Sequence, residues 1–147
     1  MTLVKLAVTV RSKAPGQDVG VTEVMIHNLV HAFYARVRRD PVLGPIFEAH
    51  VRDWPDHLGK LCAFWSSVTL LSDRYKGKPI PAHAQLAEIG NAHFALWLRL
   101  FIETAGDVCP APAAALFVDR SQRIAQSLQL GLAFHRGLPP DAHPHAS

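Results

Sequence analysis

With 147 residues, 49% of them hydrophobic and 18% charged, the chain is composed like one globular domain with a sizeable core and not like a disordered segment. The net charge of +3 offers no nucleic-acid stripe, because its one dense cluster, Arg36, Arg38 and Arg39, closes a predicted helix where cations favour the dipole's negative end. Two widely spaced cysteines, Cys62 and Cys109, exclude a disulfide framework or a cysteine zinc site, and no apolar run approaches the roughly 18 residues of a membrane span.

The start, "MTLVKLAVTV", is interrupted by Lys5 and lacks the small-residue cleavage pattern of a signal peptide, so a cytoplasmic location is expected. Residues 1–21 read as an N-terminal arm, loose through "RSKAPGQ", with extended structure near Leu3–Val10. The pattern turns helical from about Thr22 to Arg39, where Met25, Leu29, Phe33 and Val37 recur every four residues and Val30 and Tyr34 flank them. "RDP" ends that helix, since Pro41 disfavours a helical Asp40, and "VLGPIF" makes a short apolar corner.

A second helix starts at Asp53, a good N-cap, with Pro55 in the first turn where its missing N–H costs little. Trp54, Leu58, Leu61, Phe64, Trp65, Val68 and Leu71 give it a broad apolar face. His57 falls on that face, in register with Leu61, Phe64 and Val68. "SDRYKGKPIPAHAQL" is then a long irregular connection leading to His83 on a short helix. A third helix spans about Asn91–Thr104, with Phe94, Trp97, Leu98, Phe101 and Ile102 on one side, and "GDVCPAP" breaks it. The fourth runs from near Pro112 to about Arg136 with Val118, Ile124, Ala125, Leu128 and Leu132 inward. The Pro-rich residues 137–147 read as a disordered tail. The domain, residues 22–136, is therefore expected to be all-α with four main helices.

Most of the nine histidines carry no chemical pattern. His27 and His31 stand four apart on one helix, but no third ligand and no H-E-x-x-H accompany them. His143 and His145 belong to the tail, and His50, His93 and His135 lack any local signal. His57 and His83 differ. One occupies a core face, and the other follows a rigid Pro-rich loop. Spacing alone reads each either as a hydrogen-bonded core histidine or as a ligand. No Gly-rich phosphate loop, G-x-S-x-G or CxxC is present.

Four blocks in order, "FYARVRRDPVLGPIF" (33–47), "DWPDHLGKLCAFW" (53–65), "YKGKPIPAHAQL" (75–86) and "HFALWLRLF" (93–101), resemble the truncated haemoglobins. Trp65, the Tyr–x–Gly–x–Pro loop and Trp97 resemble the third group of that family, and the likeness covers about residues 22–135. The resemblance implies a globin-like two-over-two helical sandwich enclosing a haem, of the b type, with iron as the metal. It places His83 at the proximal iron ligand and Phe47 at the aromatic residue packed on the porphyrin. Tyr34, His57 and Trp97 fall on the distal positions around a bound gas, with Leu61 as their apolar neighbour. A core face that carries His57 is then the wall of a ligand cavity.

The function expected from the resemblance is reversible binding of O₂ and other diatomic gases, NO and CO, with strong distal hydrogen bonding. Donors aimed at a polarised ligand contribute roughly 1.5–3 kcal/mol each. The alternative is a haem enzyme, a nitric oxide dioxygenase or a peroxidase-like activity, drawing on an unidentified reductase. A sensor would need an output module, for which the short arm is expected to leave no room. Arg74, Lys76 and Lys78, beside the ligating segment, are expected to meet the haem propionates.

Overall fold

The computed structural model describes residues 14–75 and 90–135. Six helices run through them: α1 (Pro15–Asp18), α2 (Glu23–Arg39), α3 (Leu43–His50), α4 (Trp54–Leu70), α5 (Asn91–Val108) and α6 (Ala111–His135). No strand occurs among the described residues, and none of their helices is long and apolar enough to cross a membrane. The extended structure expected near Leu3–Val10 and the tail, residues 137–147, lie outside the described residues, as do the Pro-rich connection from Lys76 and the side chain of Leu132.

Local chemistry sets the helix boundaries. Thr22 Oγ1 accepts the Met25 N–H at 3.1 Å and starts α2. Asp40 is extended, with ψ 133°, and ends it in front of Pro41. The Asp40 carboxylate then accepts the N–H groups of Val42 and Leu43 at 2.9 and 2.8 Å, so the predicted corner is in fact an eight-residue helix. Asp53 caps α4 through the Asp56 N–H at 3.0 Å. Leu71 leaves α4 in the left-handed conformation, φ 54°, and Asp73 follows at φ 60°. His93 Nδ1 accepts the Gly90 N–H at 2.9 Å, which gives that histidine a capping role at the start of α5.

Helix α2 lies on α4, α5 lies on α6, and α2 against α5 joins the two pairs. Ile26, Leu29, Val30, Phe33 and Val37 put the buried face of α2 at the centre of the core. Full burial of side chains of this size contributes roughly 1.5–3 kcal/mol each. Two close approaches require glycine. A Cβ on Gly44 would lie 2.6 Å from the Arg38 carbonyl oxygen, where α3 turns back on α2. A Cβ on Gly16 would lie 2.7 Å from the Thr69 carbonyl, where α1 seats on α4. The stretch expected to be loose through Gln17 is thus helical and packed from Pro15 to Asp18.

The buried faces differ in detail from those read off the periodicity. Ile26 is fully buried where Met25 was expected, and Met25 is only half-buried. Leu71 is 58% exposed because the left-handed residue carries it off the helix face. Ile102 is exposed too, and α5 continues through Gly106 to Val108 before Pro110 stops it. In α6, Ala125 and Leu128 are buried as expected, and the same face extends back through Ser121, Phe117 and Ala113, while Val118 is only half-buried. The hydroxyls of Thr69, Thr104 and Ser121 are buried yet satisfied by carbonyls of Trp65, Leu100 and Val118 on their own helices.

Candidate functional site

Helix α4 presents two different apolar faces. Cys62, Ser66 and Thr69 are buried in the packed core, and Trp65, also buried, reaches the cavity described next. His57, Leu61 and Phe64, on the adjoining face, are only half-buried because they line a cavity of about 250 Å³. Val30, Phe33 and Tyr34 of α2 form a second wall, Trp97 and Phe101 of α5 a third, and Ile124 and Leu128 of α6 a fourth. Tyr75, just beyond α4, completes the lining with Lys60. The cavity's walls are rings and aliphatic chains, with few polar groups.

The aromatic rings lock one another. Trp97, Phe101 and Trp65 form a parallel stack, with centroids 5.8 and 5.2 Å apart and interplanar angles of 9° and 10°. Phe33 meets Trp97 and Phe101 edge-on at 5.4 and 5.1 Å. Offset and edge-on pairs suit the ring quadrupoles and add about 0.5–1.5 kcal/mol each beyond burial. The indole of Trp97 is therefore held in one orientation on the cavity wall.

Tyr34 is the most perturbed group in the site. Its burial pushes the phenol pKa up to about 12, and a hydrogen bond with Trp97 offsets part of that rise. Indole N–H is only a donor, so Trp97 donates to the Tyr34 oxygen. The phenol keeps its own proton to give, and a hydroxyl that accepts a hydrogen bond is a better donor. His57 sits one turn into α4, its N–H bonded to the Asp53 carbonyl at 3.0 Å. Its Nε2 is buried, and its ring stands edge-on to Tyr34 at 5.8 Å and to Trp54 at 5.5 Å.

Of the residues singled out from sequence, Tyr34, His57, Leu61 and Trp97 meet on this one cavity. Phe47 is not on the wall. It is buried behind Tyr34 and meets that ring edge-on at 5.9 Å. His83, with Lys76 and Lys78, lies outside the described residues. The Arg74 guanidinium pairs with Glu23 at 2.6 Å. His27 and His31 stack on each other at 3.9 Å, and no group of three or more metal-ligating side chains occurs among the described residues. Two of the clustered arginines are ion-paired, Arg36 to Asp107 at 2.8 Å and Arg38 to Glu48 at 2.7 Å.

Sequence reasoning missed Phe33, Phe64, Tyr75 and Lys60 as parts of the site. Phe64 and Lys60 are seven and three residues from His57, so its helical face carried the signal for both. Tyr75 meets Phe64 edge-on at 5.3 Å, and its N–H is held by Ser67 Oγ at 2.8 Å, a contact no local pattern announces.

A cavity with aromatic walls fits a flat, largely apolar macrocycle, and the Tyr34 hydroxyl, engaged by Trp97, fits a small polar ligand beside it. No protein-family model matches the chain. It is 31% identical over 113 residues to the group 3 truncated hemoglobin ctb of Campylobacter jejuni, spanning 74% of this chain and 89% of that protein. The crystal structure of a group III truncated hemoglobin from Campylobacter jejuni superposes with a TM-score of 0.69 at 31% identity, covering 74% of this chain and 88% of the other. The helical sandwich, the ring-lined cavity and these likenesses agree: the chain belongs to the group 3 truncated haemoglobins, a family of haem-binding globins.

Proposed function

We propose that the chain holds a haem b in this cavity and binds O₂ and other diatomic gases there, retaining O₂ through the Tyr34–Trp97 pair. A haem supplies the iron at which a gas ligand binds; the protein's part is to enclose, orient and donate. The observation that carries this reading is Tyr34 itself. A buried phenol with a pKa of about 12 stays protonated throughout the physiological range, so it is a permanent donor inside an apolar cavity. Its oxygen is already engaged by Trp97, and the remaining O–H is the group that meets the ligand.

The other residues take the roles that the family resemblance implies. His83 is the proximal ligand, as the family resemblance implies. Phe47 supports Tyr34 from behind and packs toward the porphyrin edge. Leu61 closes the apolar side of the gas site, and His57 controls passage into it. The absorption spectrum of the purified, haem-supplemented chain tests the reading directly: a Soret band that shifts with CO is expected. Its absence would remove the haem and, with it, the proposed function.

A further inference from the structure

Trp54 is the first residue of α4 and half-exposed, a position at which a large ring is ordinarily free to move. Here two residues from two other helices fasten it. Its indole N–H donates to Glu48 Oε1 at 3.3 Å. The Arg38 guanidinium lies over its ring, 4.4 Å from the centroid. Arg38 Nε closes the circuit by donating to Glu48 Oε2 at 2.7 Å. Each carboxylate oxygen of Glu48 thus holds one partner, and both bonds keep its carboxyl below the usual range, Arg38 contributing first.

The same indole also faces the site. His57 stands edge-on to it at 5.5 Å, with rings at 89°, and Tyr34 lies 6.1 Å away at 51°. His57 is therefore boxed between two rings, Tyr34 inside and Trp54 outside. An imidazole that turns away from Tyr34 on that side meets the indole first.

We propose that Trp54, clasped by Glu48 and Arg38, is the positioning residue that keeps His57 turned over the cavity and so sets how fast a gas gets in. This rests on the reading of His57 as the group that controls passage. The clasp's ion pair is on the surface, with side chains 44% and 47% exposed, so salt weakens it. Screening the pair loosens the indole, the indole releases His57, and gas association speeds up.

The test uses the haem-loaded full chain and CO rebinding after flash photolysis. Rates are taken at low salt and at about 1 M salt, where the Debye length is only about 3 Å. The parent rate should rise with salt. Glu48→Ala should raise the low-salt rate about threefold or more and remove the salt dependence. Glu48→Gln keeps an acceptor for the indole, so its rate should fall between the two, also without salt dependence. Trp54→Ala should be at least as fast as Glu48→Ala; if that variant does not fold, the two exposed Glu48 variants still decide the matter.

A second readout separates positioning from simple support of the fold. In the CO-bound protein labelled with ¹³C-histidine, the His57 resonance, assigned by its loss in His57→Ala, should move in Glu48→Ala. If the resonance stays put and CO rates match the parent, while His57→Ala still accelerates binding, the clasp is overturned and control by His57 survives. If His57→Ala leaves the rate unchanged but Glu48→Ala moves the resonance, the clasp does position His57 and the gating reading is the one that fails.

Discussion

Replacing Tyr34 by phenylalanine removes one oxygen from the middle of the site and little else, since the ring contacts with Phe33, Phe47 and His57 survive. The oxygen has two tasks. It accepts the Trp97 N–H, and in the proposed function it donates to bound O₂. A hydrogen bond to a ligand bearing partial charge contributes roughly 1.5–3 kcal/mol, and each 1.4 kcal/mol is about tenfold in rate. The O₂ dissociation rate should therefore rise about 10- to 100-fold in Tyr34→Phe. Carbon monoxide is less polar when bound and should change far less. Trp97→Phe removes the N–H that polarises the phenol and also opens space, so it should raise the O₂ rate by a smaller factor. Because the indole acts through the phenol, the double mutant should lose less than the sum of the two single losses, by a coupling of about 0.5 kcal/mol or more. Stopped-flow dissociation of O₂ and CO from the four proteins measures all of this. Unchanged or slower O₂ release in Tyr34→Phe, or an equal change for CO, would refute donation by Tyr34. Strict additivity would refute the serial arrangement.

Three further outcomes are expected. His83→Gly should lose most of its haem, and free imidazole should partly restore the reduced-state spectrum; unchanged haem affinity would place the proximal ligand elsewhere. Gly44→Ala should destabilise the fold by about 1–3 kcal/mol in urea denaturation, because its Cβ collides with the Arg38 carbonyl, backbone that cannot give way cheaply. Tyr34 is held neutral up to about pH 12 in the folded chain, while an unfolded tyrosine ionises near pH 10. Its stabilising contribution is thus complete below pH 10 and is lost as pH rises from 10 to 12, so stability should fall across that window and fall less steeply in Tyr34→Phe.

Helix existence was readable because its signals are local. Asp53 before Trp54–Pro55, Thr22 before Glu23, and Asp40 before Pro41 mark ends through bonds spanning two or three residues. The four-residue recurrence of Leu29, Phe33 and Val37 reports a face relative to its own helix axis. That information, with four blocks in family order, sufficed for an all-α chain resembling a truncated globin. It also drew attention to Tyr34, His57, Leu61 and Trp97.

What periodicity cannot state is which neighbour a face meets. On α4, Leu58 and Leu61 read alike as apolar, yet only Leu61 lines the cavity. The difference lies in where α2, α5 and α6 stop short of close contact. Leu71 looked like core until a left-handed backbone turned it into solvent. The family resemblance singles out Phe47, but its place behind Tyr34 depends on how α3 folds back across Gly44. The bond between Trp97 and Tyr34, and the clasp of Arg38, Glu48 and Trp54, join helices that no short window of sequence contains. Such contacts form only after chain segments far apart have been brought together, so the donors' order and the wall around His57 belong to the tertiary structure alone.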